Sequence, residues 1–270
     1  MNKKIEAEFI ISKENNLLFW MFQLSWVVIA YNIVKIAIPL VDYTCGGYYL
    51  YNIFALEFVL GIFLPIFFGA ILGGGDYGYA IIEYKLTNES KKEFLQSKIY
   101  FLMIGIILYL ILSTGVGLCL DGIAQTFSGN FSSNLLIILQ RFGGITLIWF
   151  LWGMISFFFS ILLKNTAISI TLCILFYYAE QYITQYLPEK ISKYGVVWNQ
   201  KSVLIHLFSD KNIPFGIVQS AYNPSILSFF FLVLVICFCI LGCFCIMKKQ
   251  DIKTLKLFLQ IKIKNQIMKI

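Results

Sequence analysis

Charged residues are scarce in this chain. Only 13% of its 270 residues are charged, whereas soluble domains carry about 25%, and 59% are hydrophobic. This composition excludes an ordinary soluble domain and is typical of a protein that lies in lipid. His206 is the single histidine, and no H-E-x-x-H, G-x-S-x-G or G-x-x-x-x-G-K-[ST] motif occurs, so no familiar metalloprotease, serine hydrolase or nucleotide-hydrolysing site is expected.

Arginine is almost missing as well, because Arg141 is the one arginine among 21 basic residues. Together with abundant Ile and Asn, this bias favours an AT-rich genome and a low-GC bacterial source. The net charge of +7 is interpreted as a signal of membrane topology and not of nucleic-acid binding.

Long hydrophobic runs are what the chain has instead of charge. Six stretches approach or exceed the roughly 20 residues that a helix needs to cross the hydrocarbon core. They cover residues 17–40, 53–74, 98–118, 135–162, 166–187 and 224–247. The sequence therefore predicts an all-α integral membrane protein with a six-span domain over 17–247.

Lysines are unevenly divided between the two sides of these spans. The side that carries both termini holds fifteen of them, and the opposite side holds four, all within 188–223. Because basic residues are enriched in cytoplasmic segments, both termini and the 75–98 segment are predicted to face the cytoplasm. We therefore expect a multi-pass protein of the bacterial plasma membrane.

Two segments flank the six spans. Residues 1–16, with Ile5 and Phe9 four positions apart among charges, predict an amphipathic helix at the inner interface. The apolar run that follows is too long for a signal peptide and is expected to be retained. Residues 248–270 are basic and half apolar and predict a helix on the anionic inner surface, although LKLFLQIKIK also alternates as a strand does.

The stretch GDYGYAIIEYKLTNESKKEFLQSK, residues 75–98, places charges between two apolar spans. The run from Gly73 to Gly78 matches the dinucleotide pattern G-x-G-x-x-G, but no strand precedes it, so we interpret its glycines as the exit from span two. Residues 79–98 contain neither Gly nor Pro, which predicts one or two short cytoplasmic helices. A merely solvated charged face is the simpler alternative.

The order of residues in this stretch resembles the loop after the second span in permeases of the type-2 class of ABC exporters. In that loop an acidic residue and a glycine lead into Leu-Thr, then a serine with a basic residue, then a lysine that opens span three. The matching residues here are Asp76, Gly78, Leu86, Thr87, Ser90, Lys91 and Lys98. The family usually has a proline before the Ser-Arg pair, where this chain has Asn88 and Glu89.

The resemblance implies a permease subunit that works as a dimer, identical or homologous, with two cytoplasmic ATPase subunits that hold ATP and Mg. The chain itself is then no enzyme and carries no cofactor or metal. The 75–98 segment becomes the element that couples to the ATPase through a helix-in-groove contact, with apolar anchors inside a charged rim. The expected anchors are Tyr79, Ile82, Leu86 and Phe94, and the expected rim is Glu83, Lys85, Lys91 and Lys92.

The cargo that the resemblance implies is an amphipathic peptide such as a bacteriocin or lantibiotic, whose export gives self-protection or resistance. Export of lipids or drugs is an alternative. A stand-alone membrane immunity or scaffold protein without an ATPase is a further class, and it would leave the charged loop without a docking role. An integral-membrane enzyme is disfavoured because the sequence contains no catalytic constellation.

Four ionisable residues fall inside predicted spans, near their outer ends: Lys35, Glu57, Arg141 and Glu180. Such residues are expensive in a membrane and either pair or serve function. The sequence predicts the ion pairs Lys35 with Glu57 and Arg141 with Glu180. The alternative is an outer vestibule through which cargo leaves.

The outer segment 188–223 is too apolar for a plain linker. It predicts short interfacial or re-entrant helices before span six, or else a small cap packed on itself, with His206 as an ordinary loop residue. In the last span, CFCILGCFC places its thiols on opposite faces of a helix, so they are not expected to converge on a metal. Cys45 and Cys119 lie near outer span ends, and a disulfide requires that they meet.

Overall fold

The structure, a computed structural model, describes residues 61–78, 91–128, 135–183, 186–187, 189–207 and 225–267. Every regular element in these ranges is an α-helix. In chain order they are α1 Phe63–Gly78, α2 Lys91–Ser128, α3 Leu135–Leu163, α4 Thr166–Ile183, α5 Glu189–Ser192, α6 Val196–Leu207 and α7 Ser225–Ile267. The all-α prediction is confirmed for this part of the chain. The predicted N-terminal helix, 1–16, and span one, 17–40, lie outside it.

Three helices are long and apolar enough to cross a membrane. The apolar spans are Lys92–Cys119 in α2, Ile138–Leu163 in α3 and Ile226–Lys248 in α7, and α1 supplies the shorter apolar helix Phe63–Gly75. Large apolar side chains cover the outer surfaces of these helices, and Phe230 on α7 is 64% exposed. Apolar surface of this extent indicates contact with lipid. Length and composition therefore indicate a membrane protein.

Helix α3 lies at the centre of the described bundle. It packs against α1, α2, α4, α6 and α7. Its side chains Trp149, Leu151, Trp152 and Met154 are buried almost completely. A helix that is apolar on all faces is suited to this central place, because it has no polar face to turn toward water.

Helices α1 and α3 run parallel and pack closely. The Ser156 hydroxyl donates to the Ile66 carbonyl at 2.7 Å, and one turn further along both helices the Ser160 hydroxyl donates to the Ala70 carbonyl at 2.6 Å. Each hydroxyl thus finds an acceptor inside the bundle, where lipid offers none.

Helix α2 runs antiparallel to α3. Leu102 packs against Gly153, and two turns later on α2 the Tyr109 ring stacks on Trp149, earlier on α3, with ring centroids 5.1 Å apart. The stacked rings bury two large apolar surfaces where the helices approach.

The turn between α3 and α4 is short and reverses the chain. Lys164 has a positive φ of 55°, the left-handed conformation that commonly ends a helix. The side-chain oxygen of Asn165 then accepts the N–H of Ile168 at 3.1 Å and caps the start of α4. The predicted boundaries of these two spans, 135–162 and 166–187, agree with α3 and with the start of α4.

Helix α7 returns parallel to α3. Near one end of α3, Phe158 contacts Gly242, and near its other end Gly143 lines the same groove as Phe230. Helices α1, α3 and α7 therefore run one way, and α2 and α4 run the other. This is the alternation that the sequence predicts for spans two to six.

The apolar part of α1 ends at Gly75, close to the predicted end of span two at residue 74, but Gly73, Gly74 and Gly75 do not turn the chain out of the helix, which corrects that part of their interpretation. Helix α1 continues to Gly78. A Cβ at Gly73 would meet the Phe157 carbonyl, and one at Gly74 would meet the side-chain oxygens of Ser160 and Thr166. These glycines are small because α1 packs here against the α3–α4 turn.

Two helices also run past the predicted span limits. Helix α2 begins at Lys91, ahead of the predicted start at residue 98. Helix α7 continues beyond the predicted end at 247 as far as Ile267. Residues 248–267 of the basic tail are thus helical, as predicted, but they continue α7 and do not form a separate helix.

Candidate functional site

The bundle has two ends that differ in chemistry. At one end α1 finishes, α2 begins and α3 turns into α4, and we call it the Lys164 end. At the other, α3 begins, α4 finishes, and α6 packs against α3, α4 and α7. We call this the α6 end. The residues that the sequence predicts as functional are divided between these two ends.

The predicted coupling segment belongs to the Lys164 end. Five of its predicted docking residues lie outside the described ranges: Tyr79, Ile82, Glu83, Lys85 and Leu86. Of the other three, Lys91 and Lys92 open α2, and the Lys92 side chain is exposed. Phe94 is 5% exposed and belongs to the hydrophobic core. The structure therefore corrects the interpretation of Phe94 as an exposed anchor.

Phe94 instead supports a buried lysine. The Lys98 ammonium lies 5.5 Å from the centre of the Phe94 ring, and both side chains are buried. A cation over an aromatic face is attracted by the negative face of the ring. The first turns of α2 are thus part of the packed bundle, although the sequence assigns them to the loop.

Glu180, on α4, holds the beginning of α6. One of its carboxylate oxygens accepts the N–H of Val197 at 2.6 Å, and the N–H of Trp198 also reaches the carboxylate. A Cβ at Gly195 would collide with that carboxylate, so glycine permits the approach. A negative charge here satisfies free backbone donors and lies favourably in the field of the helix dipole.

Lys201 lies one turn further along α6 and is half-buried. Burial lowers the pKa of Lys201, and the nearby Glu180 carboxylate opposes this by raising it. The positive charge of Lys201 thus offsets part of the negative charge of the Glu180 carboxylate at the start of α6.

Arg141, on α3, holds the opposite end of α6. It is 6% exposed, and its Nε–H donates to the carbonyl of Leu207, the last residue of α6, at 3.2 Å. A cation at the C-terminus of a helix satisfies carbonyls that have no partner within the helix and complements the dipole. The Leu207 side chain also fills the space beside Gly144.

This geometry corrects the predicted Arg141–Glu180 ion pair. The two charges contact opposite ends of the same twelve-residue helix and so lie roughly 15 Å apart at 1.5 Å per residue. They act on α6 in common and do not form a direct pair. The other predicted pair, Lys35 with Glu57, lies outside the described residues.

The middle of α6 is held by a neutral hydrogen bond that the sequence analysis missed. Gln200 is completely buried, and its side-chain oxygen accepts the Trp152 indole N–H at 2.7 Å. Trp152 lies inside the apolar span Ile138–Leu163, about 21 Å along the helix from Ile138, which is the end of the span where α6 lies. Helix α6 therefore lies beside this span and not beyond its end.

The close α1–α3 contact was also missed. Its signal was present as the G-x-x-x-G spacing of Gly69 and Gly73, with Ser156 and Ser160 at the same spacing on α3. Small residues four apart allow helix backbones to approach in membranes. A Cβ at Gly69 would collide with the backbone carbonyl of Gly153, which shows how close the two helices are.

An open groove of about 830 Å³ lies beside α6, between α2, α3 and α7. Its walls are mostly apolar, with Ile106, Leu147 and Phe150 among them. His206 lies in the last turn of α6 and lines the groove, so it is a helical residue and not a loop residue.

Metal ligation receives no support from the described part of the chain, which contains no group of three or more His, Cys, Asp or Glu placed to hold an ion. In α7, Cys239 and Cys243 are buried while Cys237 and Cys245 are exposed, so the thiols face different ways, as predicted. Cys119 is exposed, and its predicted neighbour near the outer surface, residue 45, lies outside the described ranges.

Comparisons with models of protein families, with curated proteins and with solved structures find no match.

Proposed function

We propose that this chain is the membrane-spanning permease subunit of an ABC exporter, a member of the type-2 class that its 75–98 segment resembles. Two such subunits, identical or homologous, work with two cytoplasmic ATPase subunits that bind ATP and Mg. The permease has six spans and lies in a bacterial plasma membrane with both termini in the cytoplasm. ATP binding in the partner rearranges the spans through the 75–98 segment.

The observation that carries this proposal is the continuity of α2. A single helix runs from Lys91, next to the charged segment, to Ser128 beyond the apolar span. Its first turn exposes Lys92, and its second buries Phe94 and Leu95 in the core. A force applied by a partner at the first turn of α2, residues 91–93, therefore enters a single continuous helix that packs against α3.

Lysines near this end support its cytoplasmic assignment. Lys91 and Lys92 begin α2, Lys164 forms the adjacent turn, and Lys248 closes the apolar span of α7 at the same end. Basic residues gather on the cytoplasmic side of membrane proteins. The charged segment then faces the compartment that holds ATP.

The proposed cargo is an amphipathic molecule, a peptide such as a bacteriocin before a lipid or a drug. The α6 end supports an amphipathic cargo because it joins an apolar groove to buried polar residues, among them Gln200 and Arg141. An exit on this side would offer both kinds of surface to one molecule.

Co-purification tests the proposal. The full chain is expressed together with its neighbouring genes, extracted in detergent and captured, and any nucleotide-binding subunit that accompanies it is quantified. We expect Leu86→Asp and Lys92→Glu each to reduce its recovery at least tenfold, because they alter the apolar anchor and the charged rim. Lys193→Glu, the same charge change at the α6 end, is the matched control and should leave recovery unchanged.

Two results would overturn the proposal. If the unaltered chain brings down no nucleotide-binding subunit, the stand-alone immunity or scaffold function takes its place. If Lys193→Glu lowers recovery as much as Lys92→Glu, the ATPase does not dock at the Lys164 end. Unfolding midpoints of all variants show whether any loss comes from misfolding.

A further inference from the structure

We propose that the groove between α2, α3, α6 and α7, which we call the α6 groove, binds one acyl chain of a membrane phospholipid. The lipid belongs to the leaflet at the α6 end, and its headgroup lies where the groove meets Gln140 and His206. This site is separate from the ATPase contact and does not depend on transport.

The position of the α6 groove is the first support. Its walls come from α2, α3 and α7, the three helices that are long and apolar enough to cross a membrane. Residues that line it are open to the outside of the bundle, since Leu139 is 58% exposed. An apolar opening on such helices faces acyl chains and not water.

The length of the α6 groove fits one leaflet. On α3 its lining runs from Leu139 to Phe150, which corresponds to roughly 16 Å along the axis at 1.5 Å per residue. The hydrocarbon core is about 30 Å thick, so one leaflet supplies about 15 Å. An acyl chain that enters from the boundary near Gln140 would reach the Phe150 level close to the middle of the bilayer.

The chemistry of the lining changes along this length in the way that a phospholipid requires. The polar side chains Gln140 and His206 lie toward the start of α3 and the end of α6, and the Thr146 hydroxyl, deeper along α3, donates to the Phe142 carbonyl at 2.7 Å. Ile106 and Phe150 line the deeper part, where polar groups are missing from the lining. The buried cation Arg141 is adjacent in sequence to Gln140 and adds positive charge near the expected phosphate.

The size of the groove is compatible with an acyl chain. The groove holds about 830 Å³, inside the range of about 300–1,000 Å³ typical of small-molecule sites. A flexible chain fits between the helices without moving them.

Two neighbouring glycines show which part of the space is empty. A Cβ at Gly144 would collide with Leu207, so that position is filled by α6. A Cβ at Gly143 would meet nothing within 4 Å, although Gly143 lines the groove. A larger side chain at Gly143 should therefore fill the α6 groove without displacing a helix.

The test uses the full chain in lipid nanodiscs that contain a phosphatidylcholine with a photoreactive group near the terminal end of one acyl chain. After illumination, peptides of α2, α3 and α7 are searched for attached lipid. We expect attachment to groove residues near Ile106 and Phe150, and Gly143→Leu should reduce it at least fivefold. Gly115→Leu is the matched control, because a Cβ at Gly115 also meets nothing within 4 Å while Gly115 does not line the groove.

Several results would overturn the proposal. Equal labelling of both variants would show that lipid contacts the bundle without entering the groove. Cross-links between two copies at the same residues would identify a subunit interface instead. If Gly143→Leu fails to fold, Leu147→Trp narrows the same groove, and unchanged labelling in that variant would exclude an acyl-chain site.

Discussion

The contact between α1 and α3 and the contacts that hold α6 in the bundle depend on different kinds of interaction. Where α1 meets α3, glycine backbones touch and neutral serine hydroxyls donate to carbonyls of the neighbouring helix. Where α6 meets the bundle, a carboxylate and a guanidinium hold its two ends, and an open groove of about 830 Å³ lies alongside. The first region leaves no space for a helix to shift. The second holds its helix by a few strong contacts beside empty volume.

This difference teaches where the bundle is able to move. Close-packed interfaces have discrete arrangements and resist small displacements. Helix α6 is also held in its middle, through Gln200 and buried side chains such as Leu204, but it borders open volume on one side and is therefore less confined than α1. We therefore expect the α1–α3 pair to move as one body and α6 to be the part of the bundle that adjusts.

The largest expected effect comes from exchanging the charges that hold α6. Arg141→Glu alone and Glu180→Arg alone should each lower the free energy of unfolding by about 3 kcal/mol, since each leaves a buried charge facing the wrong end of a helix. The double exchange should be worse than either single change, because both ends of α6 then face charge of the unfavourable sign. Unfolding of the three variants in graded denaturing detergent measures this.

The same experiment distinguishes the helix-end arrangement from the ion pair that the sequence predicts. In a direct pair, the double exchange restores the attraction and recovers stability. Recovery above either single variant would contradict the assignment of the two residues to opposite ends of α6. Arg141→Lys is the control for charge, and it should retain part of the stability through its ammonium.

The α1–α3 contact should respond next most strongly. Gly69→Ala places a methyl group against the backbone of Gly153, so the helices must separate, and we expect a loss of about 3 kcal/mol. Gly115→Ala is the matched control in open space and should be neutral or gain up to about 1 kcal/mol from helix propensity. Equal unfolding midpoints for the two variants would mean that α1 and α3 are not in backbone contact.

The sequence predicted helix type and the limits of α3 well, because apolar length reports directly on what crosses lipid. The sequence predicted the start of α2 and the end of α1 less accurately. Residues 91–98 were predicted to belong to separate short cytoplasmic helices, yet they form one continuous helix with the third span, and Phe94 and Lys98 within them are buried by neighbours that are distant in sequence. Burial of this kind depends on tertiary packing, and the pattern of apolar residues in the sequence does not reveal it.

The candidate site shows the same limit. Arg141 and Glu180 were singled out correctly as unusual charges, because ionisable residues are rare in spans. Their partners were not predictable, since the acceptor for Arg141 and the donors for Glu180 are backbone groups of α6. Because every residue has backbone groups, the sequence does not show which of them bind Arg141 and Glu180. Gln200 was overlooked because a neutral amide in an outer segment carries no distinctive pattern.

The smallest effect concerns the contact in the middle of α6. Trp152→Phe removes the indole donor and leaves the buried Gln200 oxygen without its 2.7 Å partner, which should cost about 2 kcal/mol. Gln200→Leu combined with Trp152→Phe should cost less than Trp152→Phe alone, because no buried acceptor then remains unsatisfied. Denaturing-detergent unfolding again gives the comparison. If the double variant is the less stable of the two, Gln200 contributes through other contacts, and α6 is held along its whole length as firmly as α1 is held on α3.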